Sequence, residues 1–369
     1  MMELRRIKAS LGKTITFSDI HFGVNKNSVK RLEIAEKFVK HLSDYASQNN
    51  IKSCIFNGDL YHNRNSLDLN VLMRSVDAIE KLADIFTDGL YLIVGNHDSF
   101  FKQSLDVHSL YHFKNTGNVH IIDEPTIIES NGSNLFLVPW GFDPAKYETK
   151  ANMMFGHFEP SNCLFNGSTL SDGPYTIENL CDTAPLVFSG HYHVRKEYHV
   201  RNGTMVMVGS PFQMNYGECG NSNGWYVIDP QTEKYEFVEN TISPKFWKVK
   251  LSTVLAQDKE SLKTTPFKNN HIRMIIDTDC PYDKIAKIKT AIESAGCLEC
   301  DVEFLFSGVD AKVDLSAIEN QSNGTMKTNF EYTVDYINAL KLDDGIKTEL
   351  TTMMKNYFEA AELNVRQQQ

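Results

Sequence analysis

Long hydrophobic runs are missing. Nowhere do about 18 apolar residues follow one another, the minimum for a membrane-spanning helix, so no membrane partner is expected. The opening residues, Met1-Met2-Glu3-Leu4-Arg5-Arg6, lack the apolar core of a secretory signal, which makes the cytoplasm the expected compartment. Cysteine is scarce. Seven in 369 residues, an odd number, implies no disulfide framework. Basic residues are in deficit, with 37 Lys and Arg against 47 Asp and Glu and a net charge of -10. The deficit holds on both sides of residue 240, at 21 against 28 before it and 16 against 19 after it. A chain that grips nucleic acid through its overall charge is thereby excluded. If it works on DNA, bound metal ions or a partner must supply much of the attraction. A hydrophobic share of 41% and a charged share of 23% exclude a wholly disordered chain, and the length suits two or three domains.

The first half alternates strand and helix patterns. Thr14–Ser18, Ser53–Phe56 and Leu90–Val94 read as strands. Between them, Leu32 to Ala46 and Leu69 to Phe86 carry apolar residues at helical spacing. This βαβαβ order predicts a layered α/β domain. Strands then dominate to residue 240: Val119–Ile122, Leu135–Val138, Met153–Phe155, Leu186–Phe188, Thr204–Val208 and Trp225–Ile228. The expected architecture is two packed sheets with helices outside, over residues 1–240. Residues 160–183 read as a long polar loop. Residues 241–307 predict a small α+β module, 308–328 a polar linker, and 329–369 two helices with apolar stripes.

The chemistry is concentrated at five strand ends. Each apolar strand gives way abruptly to metal-ligand residue types: Ser18-Asp19-Ile20-His21, Asn57-Gly58-Asp59-Leu60, Gly95-Asn96-His97-Asp98, Gly156-His157 and Gly190-His191-Tyr192-His193. In an open α/β sheet, ligands bind beyond the carboxyl ends of the strands, so all five are expected in one crevice. Carboxylate and amide oxygens mixed with imidazole suit Mn²⁺, Fe²⁺ or Zn²⁺. Asp19 and His21, like His191 and His193, are two apart and can face one side of an extended strand end. The two oxygens of Asp59 could bridge a metal pair, which can activate a hydroxide and clamp an in-line displacement at phosphorus. One Asp-x-His is common in caps and turns, but five such clusters in series are not explained that way. Cys297-x-x-Cys300 has no second Cys or His pair nearby and is expected to be incidental.

These clusters resemble the calcineurin-like metallophosphoesterases, whose pattern is D-x-H, GD, GNH-[DE], GH and GH-x-H. The resemblance covers roughly residues 14–230 and implies their four-layer fold of two packed sheets flanked by helices. It implies one metal on Asp19, His21, Asp59 and His193 and a second on Asp59, Asn96, His157 and His191, with Mn²⁺ the expected ion. His97 would contact the scissile phosphate and protonate the leaving oxygen rather than bind metal. Gly58-Asp59-Leu60-Tyr61-His62 with Arg64, Val138-Pro139-Trp140, Gly209-Ser210-Pro211 and Tyr216-Gly217-Glu218 narrow the resemblance to the SbcD-type DNA nucleases, and the compact length to their bacteriophage members. That resemblance implies a 3′-to-5′ exonuclease and endonuclease acting in recombination, repair or host DNA degradation. It implies a homodimer, a capping domain after the catalytic one, and C-terminal helices that dock on the coiled-coil root of an ABC-type ATPase. His62 would position DNA ends. The competing reading is a phosphoesterase of small molecules or phosphoproteins that shares the same metals.

Overall fold

The computed structural model describes residues 4–101, 104–166, 169–257, 267–305, 329–340 and 342–366. The linker expected over 308–328 lies outside the described residues. The chain divides into two compact units, Met1–Glu303 and Phe304–Gln369.

The first unit is mixed α/β, as the alternating patterns predict. One six-stranded sheet has β2 (Thr14–Phe17), β3 (Ser53–Phe56), β4 (Gly89–Ile93) and β5 (Val119–Ile122) in parallel, with β14 (Gly224–Asp229) and β15 (Lys234–Glu239) antiparallel on the β2 edge. Its strands are apolar on both faces because both are covered. Cys54 and Phe56 point to helices α1 (Val29–Gln48) and α2 (Leu69–Ile85), while Ile55 points to the other sheet. Leu90 and Leu92 alternate in the same way with Tyr91 and Ile93. Asp68 caps α2, its side chain accepting from the Asn70 and Val71 amides. The helix then turns Val71, Ala78, Ile79 and Leu82 inward.

The second sheet runs β1 (Arg5–Ala9), β6 (Thr126–Ser130), β7 (Ser133–Val138), β8 (Met153–Gly156), β11 (Leu186–Ser189), β13 (Gly203–Met207) and β12 (Lys196–Val200). Ile128, Leu135, Leu137, Met153, Phe155 and Phe188 face the first sheet and form the core between them. Phe136, Met154, Val187 and Met205 face outward, onto α3 (Ile177–Thr183). The result is four layers, helix–sheet–sheet–helix.

Residues 160–183 correct the expected loop. They form a hairpin, β9 (Ser161–Asn166) with β10 (Thr169–Asp172), followed by α3. Cys163, Leu180 and Cys181 are buried in the outer core, so the segment is a covering layer. Its polarity reflects the solvent face of a thin layer. The basic stretch at the amino terminus is the edge strand β1, parallel to β6. There Arg6 pairs with Glu129 at 2.6 Å and Arg5 donates to the Ile121 carbonyl at 3.0 Å.

After residue 245 come β16 (Phe246–Lys250), α4 (Leu251–Ala256), β17 (His271–Ile276), α5 (Tyr282–Ser294) and β18 (Glu299–Phe304), a three-stranded sheet with its own core around Leu251, Ile272, Met274, Ile285 and Ile292. It is fastened to the preceding layers. The Phe246 amide donates to Gln213 at 2.6 Å, and the Arg273 guanidinium lies 3.9 Å from the Tyr216 ring. The second unit contains α6 (Asn329–Ala339) and α7 (Asp344–Arg366). Tyr336, Ile346 and Met353 on these helices are exposed. No described helix is long and apolar enough to cross a membrane.

Candidate metal centre

The five clusters do meet. Asp19 and His21 follow β2, Asp59 and His62 follow β3, Asn96 and His97 follow β4, His157 follows β8, and His191 and His193 follow β11. All lie at the carboxyl ends of parallel strands, where the main chain leaves the sheet and side chains can turn into the crevice. Asp19, His21, Asp59 and His191 have left-handed backbones, with φ of 54°, 48°, 61° and 89°. Each such non-glycine residue costs about 1–3 kcal/mol, which concentrates local strain at this site. The glycines serve close approach. A Cβ at Gly95 would run into the carboxylate and amide nitrogen of Asp59, and one at Gly190 into the Ser18 hydroxyl.

Asp19, His21, Asp59 and His157 are all buried. His21 Nε2 lies 3.8 Å from Asp19, 3.6 Å from Asp59 and 3.1 Å from His193 Nε2. His157 Nε2 lies 3.4 Å from Asp59 Oδ2 and 2.8 Å from Asn96 Oδ1, which is in turn 2.9 Å from His191 Nδ1. Two sets therefore share the Asp59 neighbourhood: Asp19, His21 and His193 on one side, and Asn96, His157 and His191 on the other. Three-residue groups that could hold a cation include Asp19–His21–His193 and Asp19–Asp59–His157.

The outer contacts fix which ring nitrogens face inward. His157 Nδ1 meets the Asn57 carbonyl at 2.7 Å, and His193 Nδ1 meets Glu218 at 2.9 Å, so each donates there and leaves Nε2 as a lone pair for the centre. His97 is held as His157 is, by a main-chain carbonyl at Nδ1. Its Nδ1 meets the His62 carbonyl at 2.7 Å, and its amide donates to Asp59 at 2.8 Å. The His62 and His97 rings stack with centroids 5.6 Å apart.

With hydrogen-bond acceptors crowded together, protons stand in for cations. Burial opposes a charge on His157, but Asp59 overrides it and lifts the imidazole to about 9. Burial likewise opposes His193, which its bond to Glu218 lifts to about 8. Burial works against the Asp59 carboxylate too, yet His157 and His21 hold it well below the usual range. Burial and then His157 push His191 down to about 3. Asn96 adds to this. Its side-chain amide faces both His157 Nε2 and His191 Nδ1, with Oδ1 toward them in one orientation and Nδ2 in the other. A buried set of oxygen and imidazole donors of this kind fits divalent cations.

Two residues within the motifs, Asp98 and Glu218, act as supports rather than as ligands. Asp98 is fully buried and accepts from the amides of Asp59 at 2.9 Å, Gly95 at 3.0 Å and Tyr61 at 3.1 Å, tying the β3 and β4 loops together. Glu218 is buried behind His193 and also accepts from the Met214 amide at 2.9 Å. The centre opens into a cavity of about 850 Å³, with His62, His97 and Glu218 in its walls and Lys248 of β16 at its edge.

Residues 12–195 match the family model for "Calcineurin-like phosphoesterase". "Exonuclease subunit 1" of Enterobacteria phage T4 is 25% identical over 338 residues, 89% of this chain and 93% of that protein. "Putative phosphoesterase 244L" of Invertebrate iridescent virus 6 is 25% identical over 279 residues, 71% of this chain and 93% of that one. Among solved structures, a dimetal phosphatase from Danio rerio overlaps at a TM-score of 0.39 and 8% identity, over 60% of this chain and 93% of that one.

Proposed function

The chain carries a calcineurin-like phosphoesterase domain over residues 12–195, and on that premise we propose that it is a two-metal phosphodiesterase that cleaves DNA, the nuclease subunit of a complex with a coiled-coil ABC-type ATPase. Asp19, His21, Asp59 and His193 would hold one cation, and Asp59, Asn96, His157 and His191 the other, with Mn²⁺ the proposed ion. When bound, such a pair supplies Lewis acidity at the phosphoryl oxygens and activates the attacking water.

The remaining work falls to protein groups. Asp59 sits between both ligand sets, as a bridging carboxylate must. His97 donates Nδ1–H to the His62 carbonyl, which orients the ring; in its imidazolium form the opposite Nε2–H would meet the substrate phosphate and pass that proton to the leaving oxygen. His62 stacks beside it and would steer a DNA end. Residues 241–307 would cap the site, and Lys248 brings a cation to its edge. The helices of 329–369 would dock on the ATPase, and the working unit would be a homodimer in the cytoplasm, with roles in recombination, repair or host DNA degradation.

One observation favours DNA over a small ester: the likeness to the phage exonuclease subunit extends over 89% of the chain, well beyond the family match. The test is cleavage of end-labelled linear duplex DNA in Mn²⁺, with a chelator control and the Asp59→Asn protein alongside. Shortening by wild type alone is expected, and label release from the 3′ end first. Hydrolysis of a generic phosphodiester with DNA left intact, even beside the ATPase, would replace this reading with the small-substrate one.

A further inference from the structure

Arg64 lies two residues beyond His62 in the loop after β3, and one Nη2 is 2.8 Å from the Asn96 side-chain amide. No carboxylate of a described residue pairs with it at salt-bridge distance. Asn96 can satisfy Arg64 in one orientation only. With the amide turned so that Oδ1 accepts from Arg64, Nδ2 faces Asp59 at 3.2 Å, His157 Nε2 at 2.8 Å and His191 Nδ1 at 2.9 Å. With Oδ1 turned to the imidazoles, as a cation ligand must be, Nδ2 meets Nη2 donor to donor.

We propose that Asn96 and Arg64 form a coupled pair, in which commitment of the Asn96 oxygen to the metal centre releases the Arg64 guanidinium to bind a non-bridging oxygen of the substrate phosphate. The proposal rests on the phosphoester reading of this site. A half-buried guanidinium without a carboxylate partner among the described residues offers a planar fork of N–H donors that matches two oxygens of a phosphate. A chain with a net charge of -10 needs such local cations at a phosphate site. Arg64 would then be a phosphate-binding residue that reads metal occupancy: docked on Asn96 before the site is loaded, turned to the phosphate afterwards. Metal and phosphate binding would reinforce each other.

Calorimetric titration of the full chain tests this in three steps, Mn²⁺ alone, inorganic phosphate into the metal-free protein, and inorganic phosphate into the Mn²⁺-loaded protein, for wild type, Arg64→Gln and Arg64→Lys. Wild type should bind phosphate more tightly with Mn²⁺ than without. Arg64→Gln should take up Mn²⁺ at least as tightly as wild type, because Asn96 has lost the competing donor, and should bind phosphate about tenfold or more weakly. Arg64→Lys keeps the charge but loses the planar fork, and should fall between the two. Phosphate binding unchanged in Arg64→Gln would overturn the proposal. So would a loss of Mn²⁺ affinity with phosphate unaffected, which would make Arg64 a support for Asn96. Failure of wild type to take up Mn²⁺ would overturn the metal-centre reading itself, a result separable from both.

Discussion

Replacing Glu218 by Gln removes one charge and one acceptor from behind His193. The wild-type carboxylate accepts from His193 Nδ1 at 2.9 Å and Asn215 Nδ2 at 3.1 Å through one oxygen, and from the Met214 amide at 2.9 Å through the other. A Gln amide cannot do all of this. If its oxygen stays with His193, its NH₂ group faces the Met214 N–H and leaves a buried donor unpaired, at about 1–3 kcal/mol. If it turns over, His193 loses its acceptor, and the tautomer that points a lone pair at the centre is no longer enforced. Loss of such a supporting carboxylate lowers metal affinity about 10- to 100-fold, equivalent to about 1.4–2.8 kcal/mol. The His193 imidazole, now at about 8, should also fall, because the Glu218 bond no longer offsets its burial. Titration calorimetry with Mn²⁺ measures the first effect, and histidine NMR on metal-free protein the second. Wild-type Mn²⁺ affinity together with an unmoved His193 titration would refute the reasoning.

Three further outcomes follow from the same geometry. His97→Ala should bind Mn²⁺ as wild type does, yet cleave about 10²- to 10⁴-fold more slowly; a parallel loss of metal by calorimetry would make His97 a ligand. Gly95→Ala should cost about 3 kcal/mol in denaturant melts and abolish Mn²⁺ uptake, because its Cβ meets both the Asp59 amide nitrogen and carboxylate. In chelator, His157 raised from 6.5 to about 9 stabilises the native state by about 3 kcal/mol. That stabilisation is fully present below about pH 6.5 and lost as the pH rises through about 9, so denaturation midpoints should drop across this window. Saturating Mn²⁺ should remove the drop, because a bound cation displaces the proton.

The strands that carry the centre were legible because each is a buried apolar run ending in ligand residue types. Thr14–Phe17, Ser53–Phe56 and Gly89–Ile93 fall where the periodicity places them. Most of the elements that escaped are edge and covering pieces, although the buried inner strand Thr126–Ser130 escaped as well. Arg5–Ala9 reads as a basic stretch because its alternate residues face solvent, and pairing with Thr126–Ser130 is what makes it a strand. Lys196–Val200 and Lys234–Glu239 are likewise half-exposed edges. Strands 161–166 and 169–172 pair locally with each other, but they are short and their register is irregular, so no regular alternation marks them. Within the site, residue types announced Asp19, His21, Asp59, Asn96, His97, His157, His191 and His193. Asp98, Glu218 and Arg64 stand within or beside the motifs, but what they touch is set by the fold. Asp98 works by gathering three amides, Glu218 by fixing a tautomer 25 residues away in sequence, and Arg64 through one amide that can face either way.

The most direct test of the central claim is anomalous scattering from crystals soaked in Mn²⁺. Two peaks about 3.5–4 Å apart are expected, one against Asp19, His21 and His193 and one against Asn96, His157 and His191, with the Asp59 carboxylate between them. A single peak, or two that share no contact with Asp59, would contradict it.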